Sequence, residues 1–335
     1  MFTEIIHGEQ VFEQLAGEWD SLAQRGITDT PFQTLAYQRA WWTHLHPQEG
    51  ALHTVVARDR AGDLAAIGCF YLSGDGVVHF NGCIEETDYL DIIAAPENAE
   101  AAWSAIFACL LSDDFPSWRM LDLCNVPEAS PSRALLANLA GHYELPFEES
   151  VHEVCPVIML PDSFDAYLDG LDSKQRRETQ RKLRRASAAD AELHIVGPED
   201  DLAAEVDAFL ELLQLSTFEK RDWLNQERRA MFHEAAAAAR DAGSLQLMFR
   251  EVNGRKAACI FNFDYRDRVW VYNSGLDPQA FGALSLGVVL TAKAIEHAIE
   301  TGNKSFDFLR GNETYKYRFG AEDTFVYRLQ VARSV

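Results

Sequence analysis

Apolar residues recur at helical spacing in the first part of the chain, and then the period changes. Phe12, Leu15, Trp19 and Leu22 share one helical face, while Leu35, Trp41 and Trp42 mark a second helix over 32–46, with a turn at 26–31 between the two. From residue 52 the pattern is that of strands. The apolar runs 52–57, 64–72 and 77–80 are separated by the turn signals Arg60-Ala61-Gly62-Asp63 and Ser73-Gly74-Asp75-Gly76. A strand over 89–94, a helix after Pro96, a strand over 120–123 and a helix after Pro131 complete a mixed unit ending near residue 150.

The remainder repeats this order at greater length. A short strand over 157–160 precedes a long helix, capped by Asp162 or Ser163 and running to about 188, and a strand over 193–196 follows. Helices over 200–218 and 226–242 lead to strand-like runs at 245–252, 257–265 and 269–274, the first two joined by the hairpin signal Asn253-Gly254. Val288, Ala292, Ile295 and Ile299 form the apolar face of a helix over 284–301, with Gly302 as its C-cap and a strand over 305–309 beyond it. The expected fold class is α/β (α+β), in two tandem domains, 1–150 and 151–335, each a mixed, largely antiparallel sheet flanked by helices. No residue-level repeat links the halves, so the duplication rests on element order alone.

A length of 335 residues suits two such cores. Lys and Arg total 30 against 52 for Asp and Glu, a net charge of −22 that repels phosphate backbones, so no nucleic-acid partner is expected. The six cysteines are scattered without a C-x-x-C pair and read as reduced core thiols, neither disulfides nor a metal cage. His44 and His46 are too few ligands for a metal site, and none is expected. The N-terminus lacks a basic region followed by an apolar one, and no apolar run is long enough to span a bilayer, so the expected location is the cytoplasm.

The stretch with the most chemistry begins at Tyr272-Asn273-Ser274-Gly275-Leu276-Asp277-Pro278 and continues through Gly282-Ala283-Leu284-Ser285-Leu286-Gly287. A strand that delivers a glycine-containing loop onto a helix N-terminus leaves backbone N–H groups unpaired at the positive end of a helix dipole, which suits a pyrophosphate; the plain alternative is an ordinary turn. Beyond that helix, Phe306-Asp307-Phe308-Leu309-Arg310-Gly311-Asn312-Glu313-Thr314-Tyr315-Lys316 packs polar and aromatic groups too densely for a plain surface loop.

With these segments, the chain resembles the GNAT-type N-acyltransferases, specifically the CelD-like branch associated with cellulose and exopolysaccharide synthesis, itself related to the Fem-type aminoacyl transferases. Thr30-Pro31-Phe32-Gln33, Thr87-Asp88-Tyr89-Leu90-Asp91, the basic helix at 174–185 and the closing Phe306–Gly311 and Tyr315-Lys316 carry the likeness, which covers nearly the whole chain. It implies tandem GNAT-like domains, with acetyl-CoA or another acyl-CoA as co-substrate held by the second near Ser274, Gly282, Ser285, Leu286 and Gly287. The sequence departs from the ordinary GNAT phosphate loop in lacking Arg-x-x-Gly-x-Gly/Ala.

The expected reaction is attack of an amine on a thioester, the amine belonging to an amino sugar or related molecule, free or lipid-linked, in cell-surface polysaccharide synthesis. Such a transfer needs a proton acceptor, oxyanion donors and orientation of both reactants, with no covalent enzyme intermediate. Glu313 is the candidate base or relay anchor, Tyr315 the general acid, Asp307 the positioning residue and Lys316 the phosphate or oxyanion contact; a buried Asp307–Lys316 pair fixing the loop is the alternative. Asp88 and Tyr89 are candidates for the acceptor side, with Arg310 and Asn312 beside the catalytic loop. Arg177 and Arg181 lead a basic helical face that suits a phosphate on CoA or on a lipid carrier, giving peripheral membrane contact, or is merely solvated. Two rival functions stay open: a silent module binding a polysaccharide precursor or regulatory nucleotide, and a Fem-like aminoacyl-tRNA-dependent transferase, which the net charge disfavours.

Overall fold

The computed structural model describes residues 1–83 and 86–333. They form two compact units, Met1–Val154 joined by the segment from Thr324 onward, and Cys155–Asp323. The last strand therefore belongs mostly to the first unit, which a division in chain order at residue 150 does not anticipate.

The first unit begins with β1 (Phe2–His7), α1 (Gln10–Gln14), α2 (Trp19–Ala23) and α3 (Leu35–Leu45). It continues with β2 (Ala51–Arg58), β3 (Leu64–Leu72), β4 (Val77–Phe80), β5 (Ile93–Ala94), α4 (Ala99–Leu111), β6 (Met120–Pro127) and α5 (Ser132–His142). The strand β7 (Phe147–Met159) carries the chain into the second unit. There follow α6 (Phe164–Gly170), α7 (Ser173–Ala188), β8 (Glu192–Ile195), α8 (Leu202–Ser216), α9 (Phe218–Trp223) and α10 (Gln226–Asp241). Then come β9 (Leu245–Val252), β10 (Arg255–Tyr265), β11 (Arg268–Leu276), α11 (Leu286–Glu300), β12 (Ser305–Asp307), α12 (Thr314–Arg318) and β13 (Glu322–Ala332).

Each unit holds a mixed sheet built on one plan. In the first, β1 to β4 are antiparallel neighbours, β6 lies parallel to β4 after the crossover helix α4, and β13 closes the order antiparallel to β6. In the second, β8 to β11 are antiparallel neighbours, β12 lies parallel to β11 after α11, and β7 is antiparallel to β12. Three helices separate the first two strands of each sheet, so the duplication read from element order is present in the topology. Burial drives both layers: Trp103, Ile106 and Phe107 of α4 pack on Phe70, Phe80 and Leu121, and Leu290, Ile295 and Ala298 of α11 pack on Ile260, Val271 and Phe306.

The differences from the sequence expectation have local causes. The helix expected to run unbroken to 188 is divided at Leu171–Asp172, because the Asp172 carboxylate accepts from the Lys174 and Gln175 N–H groups and starts α7 afresh. The strand expected over 89–94 shrinks to Ile93–Ala94, since the segment before it is occupied with side-chain bonding. Asp91 there is fully buried and accepts from Thr28 Oγ1 at 3.1 Å, Ser132 Oγ at 2.5 Å and the Ile92 N–H at 2.8 Å, with Ser130 Oγ as a fourth donor. Gln33 Nε2 donates to the Asp91 carbonyl at 2.6 Å, so Thr30–Gln33 and Thr87–Asp91 are two halves of one internal staple. Burial raises the Asp91 carboxyl to about 6 although four hydrogen bonds to the charged form oppose the rise.

The expectation of six reduced thiols is corrected. Cys83 and Cys124 form a disulfide, with Cα atoms 5.8 Å apart, while Cys69, Cys109, Cys155 and Cys259 are buried free thiols. The pairing follows from topology: Cys83 comes just after β4 and Cys124 lies in β6, and these strands are parallel neighbours. No helix among the described residues is long and apolar enough to cross a membrane.

Candidate active site

The second sheet opens where β11 and β12 part. Their pairing runs from Arg268↔Ser305 to Trp270↔Asp307 and then stops, because β12 ends while β11 continues to Leu276. Leu309, at φ 58°, turns the chain away. On its other side β11 pairs with β10 through a register shift: Phe261 faces Asn273 and Asn262 faces Val271, leaving Tyr272 as a bulge. Beyond Trp270, β11 runs on without its β12 neighbour and offers an edge to the widening gap, on which the Ser274 carbonyl is taken by Lys220 of α9.

A cavity of about 250 Å³ lies beside this stretch of β11. Ser274, Gly275 and Leu276 of β11 form one wall, and Gly287, Leu290 and Thr291 of α11 another. Cys259 lies at its β10 side and Tyr315 of α12 closes it. Gly275 is required by packing rather than by the ligand space, since a Cβ there would meet backbone atoms of Leu212 and Leu213 in α8 at 2.5–2.7 Å. Burial pushes the Cys259 thiol up to about 12, and its Sγ donates to the carbonyls of Gly275 and Phe209, so it is a packed thiol and not a nucleophile.

The N-terminus of α11 points its first N–H groups at the loop before it. Ser285 in the cap position makes no side-chain cap bond, so the N–H groups of Leu286, Gly287 and Val288 keep the unfilled character of a helix start. Phe281 and Ser285 both adopt left-handed backbone, at φ 52° and 55°, on either side of the turn at Gly282–Leu284. Two non-glycine residues in this region hold the turn in a sparsely populated backbone shape. Arg185 of α7 donates to the Ala283 carbonyl at 2.9 Å, tying the basic helix to this loop.

Of the other expected residues, Tyr315 lines the cavity and its phenol is pushed up, first by desolvation and then by the Glu313 charge. Glu313 is not desolvated among aromatics: its side chain is 57% exposed and pairs with Lys316 at 2.9 Å. Lys316, 3% exposed, shares its three N–H donors among Glu313 and the carbonyls of Leu309, Arg310 and Gly311, the last three at 2.8–3.2 Å, which leaves none for a phosphate. Asp307 is fully buried, accepting from the Leu309 N–H at 2.8 Å and from Arg268 at 3.4 Å; Lys316 thus pairs with Glu313, and the expected Asp307–Lys316 pair does not form. Arg310 is half-buried and Asn312 exposed, and neither lines the cavity. Asp88 and Tyr89 are buried in the first unit. On α7, Arg177 caps back onto Ser173, and Arg181 and Lys182 pair with Glu178.

One residue of the site has no sequence signal. Lys220 of α9 donates to Ser274 O at 2.6 Å and to Asn273 Oδ1 at 2.9 Å, and burial lowers its pKa against the pull of Cys259 and Glu313. Among the described residues no three His, Cys, Asp or Glu side chains are grouped to hold a metal ion.

A strand pair that splays beside a crossover helix with an uncapped N-terminus is the arrangement of one family of folds. Residues 173–317 match the acetyltransferase (GNAT) domain family. The chain is also similar in structure to FemX, with a TM-score of 0.66, 10% identity and coverage of 97% of this chain and 96% of that one. L-PGS from Bacillus licheniformis gives 0.56 at 8% identity, covering 82% and 83%. A tandem GNAT protein from the clavulanic acid biosynthesis pathway gives 0.51 at 14% identity over the full length of both. At these identities the likeness is one of fold, and the fold is a tandem of GNAT-like units. No curated protein matches the sequence.

Proposed function

We propose that the protein is an acyl-CoA-dependent N-acyltransferase, with acetyl-CoA as donor and an amino sugar or related amine of cell-surface polysaccharide synthesis as acceptor. The observation that carries this reading is the free edge of β11 beside an apolar cavity and the uncapped start of α11. An extended chain containing amides can pair with such an edge as an added strand, a thioester can reach the cavity, and a pyrophosphate suits the N–H groups of Leu286, Gly287 and Val288. The absent Cβ at Gly287 leaves room there: its nearest neighbour would be Leu276 Cδ2 at 3.1 Å.

In the transfer, the neutral amine attacks the thioester carbon, the C–S bond breaks, and the departing thiolate takes the Tyr315 phenol proton. The ammonium proton leaves through water toward Glu313, whose exposure suits a relay anchor. Lys220 holds Asn273 and Ser274 at the rim. Lys316 holds the loop that carries Tyr315 and Glu313, and Asp307 sets where that loop departs from β12. The test is calorimetry with acetyl-CoA and longer acyl-CoAs, followed by thiol release in the presence of UDP-amino sugars. Acyl-CoA binding with acceptor-dependent thiol release supports the reading; stabilisation by nucleotides alone replaces it with a binding module.

A further inference from the structure

Arg250 of β9 sits between β8 and β10, opposite Leu193 and Ala258, and is 4% exposed. Its guanidinium donates to the Ala191 carbonyl, its Nε has no partner, and among the described residues no carboxylate pairs with it. A buried cation without a counter-charge is costly and is normally found paired. Here it borders a cavity of about 500 Å³ that is separate from the one beside β11. Two further cations line it, Arg184 of α7, which has no ion pair among the described residues, and Lys293 of α11, which pairs with Glu296. Asp190 and Glu192 stand on the same lining. On α11 this cavity takes Val289 and Lys293, whereas the other takes Gly287 and Thr291, so helical spacing sets the two on different faces.

We propose that this cavity binds a small oxyanion, a phosphoryl or carboxylate group whose charge Arg250 completes, with Arg184 and Lys293 as flanking contacts. The two acidic residues exclude an extended polyanion and suit a ligand that carries hydroxyl or amine donors beside its oxyanion. Arg250 is then left without a counter-charge because the ligand supplies it.

The test is thermal unfolding of the full chain titrated with inorganic phosphate and, separately, with acetate, each against chloride of equal ionic strength. A saturable rise in Tm with phosphate assigns a phosphoryl ligand, and one with acetate a carboxylate. Arg184→Ser and Lys293→Gln lie at the rim and should weaken the response at least several-fold without lowering the Tm of the anion-free protein. Arg250→Met should abolish it, and its anion-free Tm should equal or exceed that of the wild type, because an unpaired buried charge has been removed. No saturable rise with either anion in the wild type overturns the proposal. So does an undiminished rise in both rim variants.

Discussion

The Lys220 ammonium donates to the Ser274 carbonyl at 2.6 Å, joining the short helix α9 to the rim of β11 at the point where β11 has lost its other strand neighbour. A desolvated ammonium against a carbonyl and an amide oxygen fixes the wall on which the donor would lie. Replacing Lys220 with Met keeps the stem and removes these bonds. Acyl-CoA affinity should then fall about tenfold, equivalent to about 1.4 kcal/mol, with Lys220→Arg retaining part of it. Isothermal calorimetry on the two folded variants reads this, and equal affinity in all three proteins would detach Lys220 from the donor site.

Tyr315, at the start of α12, lines the cavity, and desolvation followed by the Glu313 charge raises the pKa of its phenol. Tyr315→Phe and Glu313→Gln should each lower kcat by roughly 10²-fold, the scale of lost acid–base assistance, leaving acyl-CoA affinity intact. The loop itself hangs on Lys316, so Lys316→Met should instead destabilise the fold by about 2–3 kcal/mol through orphaned carbonyls, seen as a lower denaturation midpoint. Near-wild-type turnover in the Phe and Gln variants would take the loop out of the chemistry.

Two glycines in the same wall separate packing from binding. A Cβ at Gly275 meets the α8 backbone at 2.5 Å, whereas one at Gly287 meets only the movable end of Leu276 at 3.1 Å. Gly275→Ala should therefore lower the unfolding free energy by about 1–3 kcal/mol, the usual cost of overpacking. Gly287→Val should fold normally and weaken acyl-CoA by a similar amount through N–H groups left without their ligand. Paired denaturation and calorimetry would show the two effects interchanged if the assignments are wrong.

Asp91 makes the first unit sensitive to pH in an unusual direction. Its carboxyl titrates at about 6 when folded against 3.8 in the ordinary range, so the folded state holds the proton more tightly. Its contribution to stability is greatest below about pH 4 and is lost as the pH rises through about 6, by about 3 kcal/mol in all at 1.36 kcal/mol per unit. In Asp91→Asn this slope should vanish. Unfolding free energies of both proteins between pH 4 and 7 measure it, and parallel curves would mean that Asp91 does not titrate there.

Much of the scaffold is legible in the sequence because it is carried by period and punctuation: the hairpin at Asn253-Gly254, the strand runs at 64–72 and 245–252, and the apolar face of α11 are local patterns. The short helix α12 and the terminal strands β1 and β13 are not, because their burial is set by distant neighbours rather than by strict alternation. In the site, the glycine-bearing loop and Tyr315 are visible as residue types at a strand-to-helix junction. Lys220 is not, since nothing in Phe218–Trp223 announces that its ammonium will reach β11. The same holds for the disulfide, whose cysteines are separated by 41 residues. Lys316 misleads for a different reason: a cation in a catalytic loop looks like a ligand contact until its carbonyl partners are known.

The register that sets Tyr327 opposite Val126 means that the first sheet is finished by a strand that follows the whole second unit in the chain. During ribosomal synthesis, β6 emerges early and must wait with an open strand edge while the entire second unit is made. Such an edge invites wrong pairing, and a contact so distant along the chain closes slowly. A nick or deletion within β13 would therefore be felt in the first unit, far from it along the chain, and the open edge of β6 is covered only once β13 has been made.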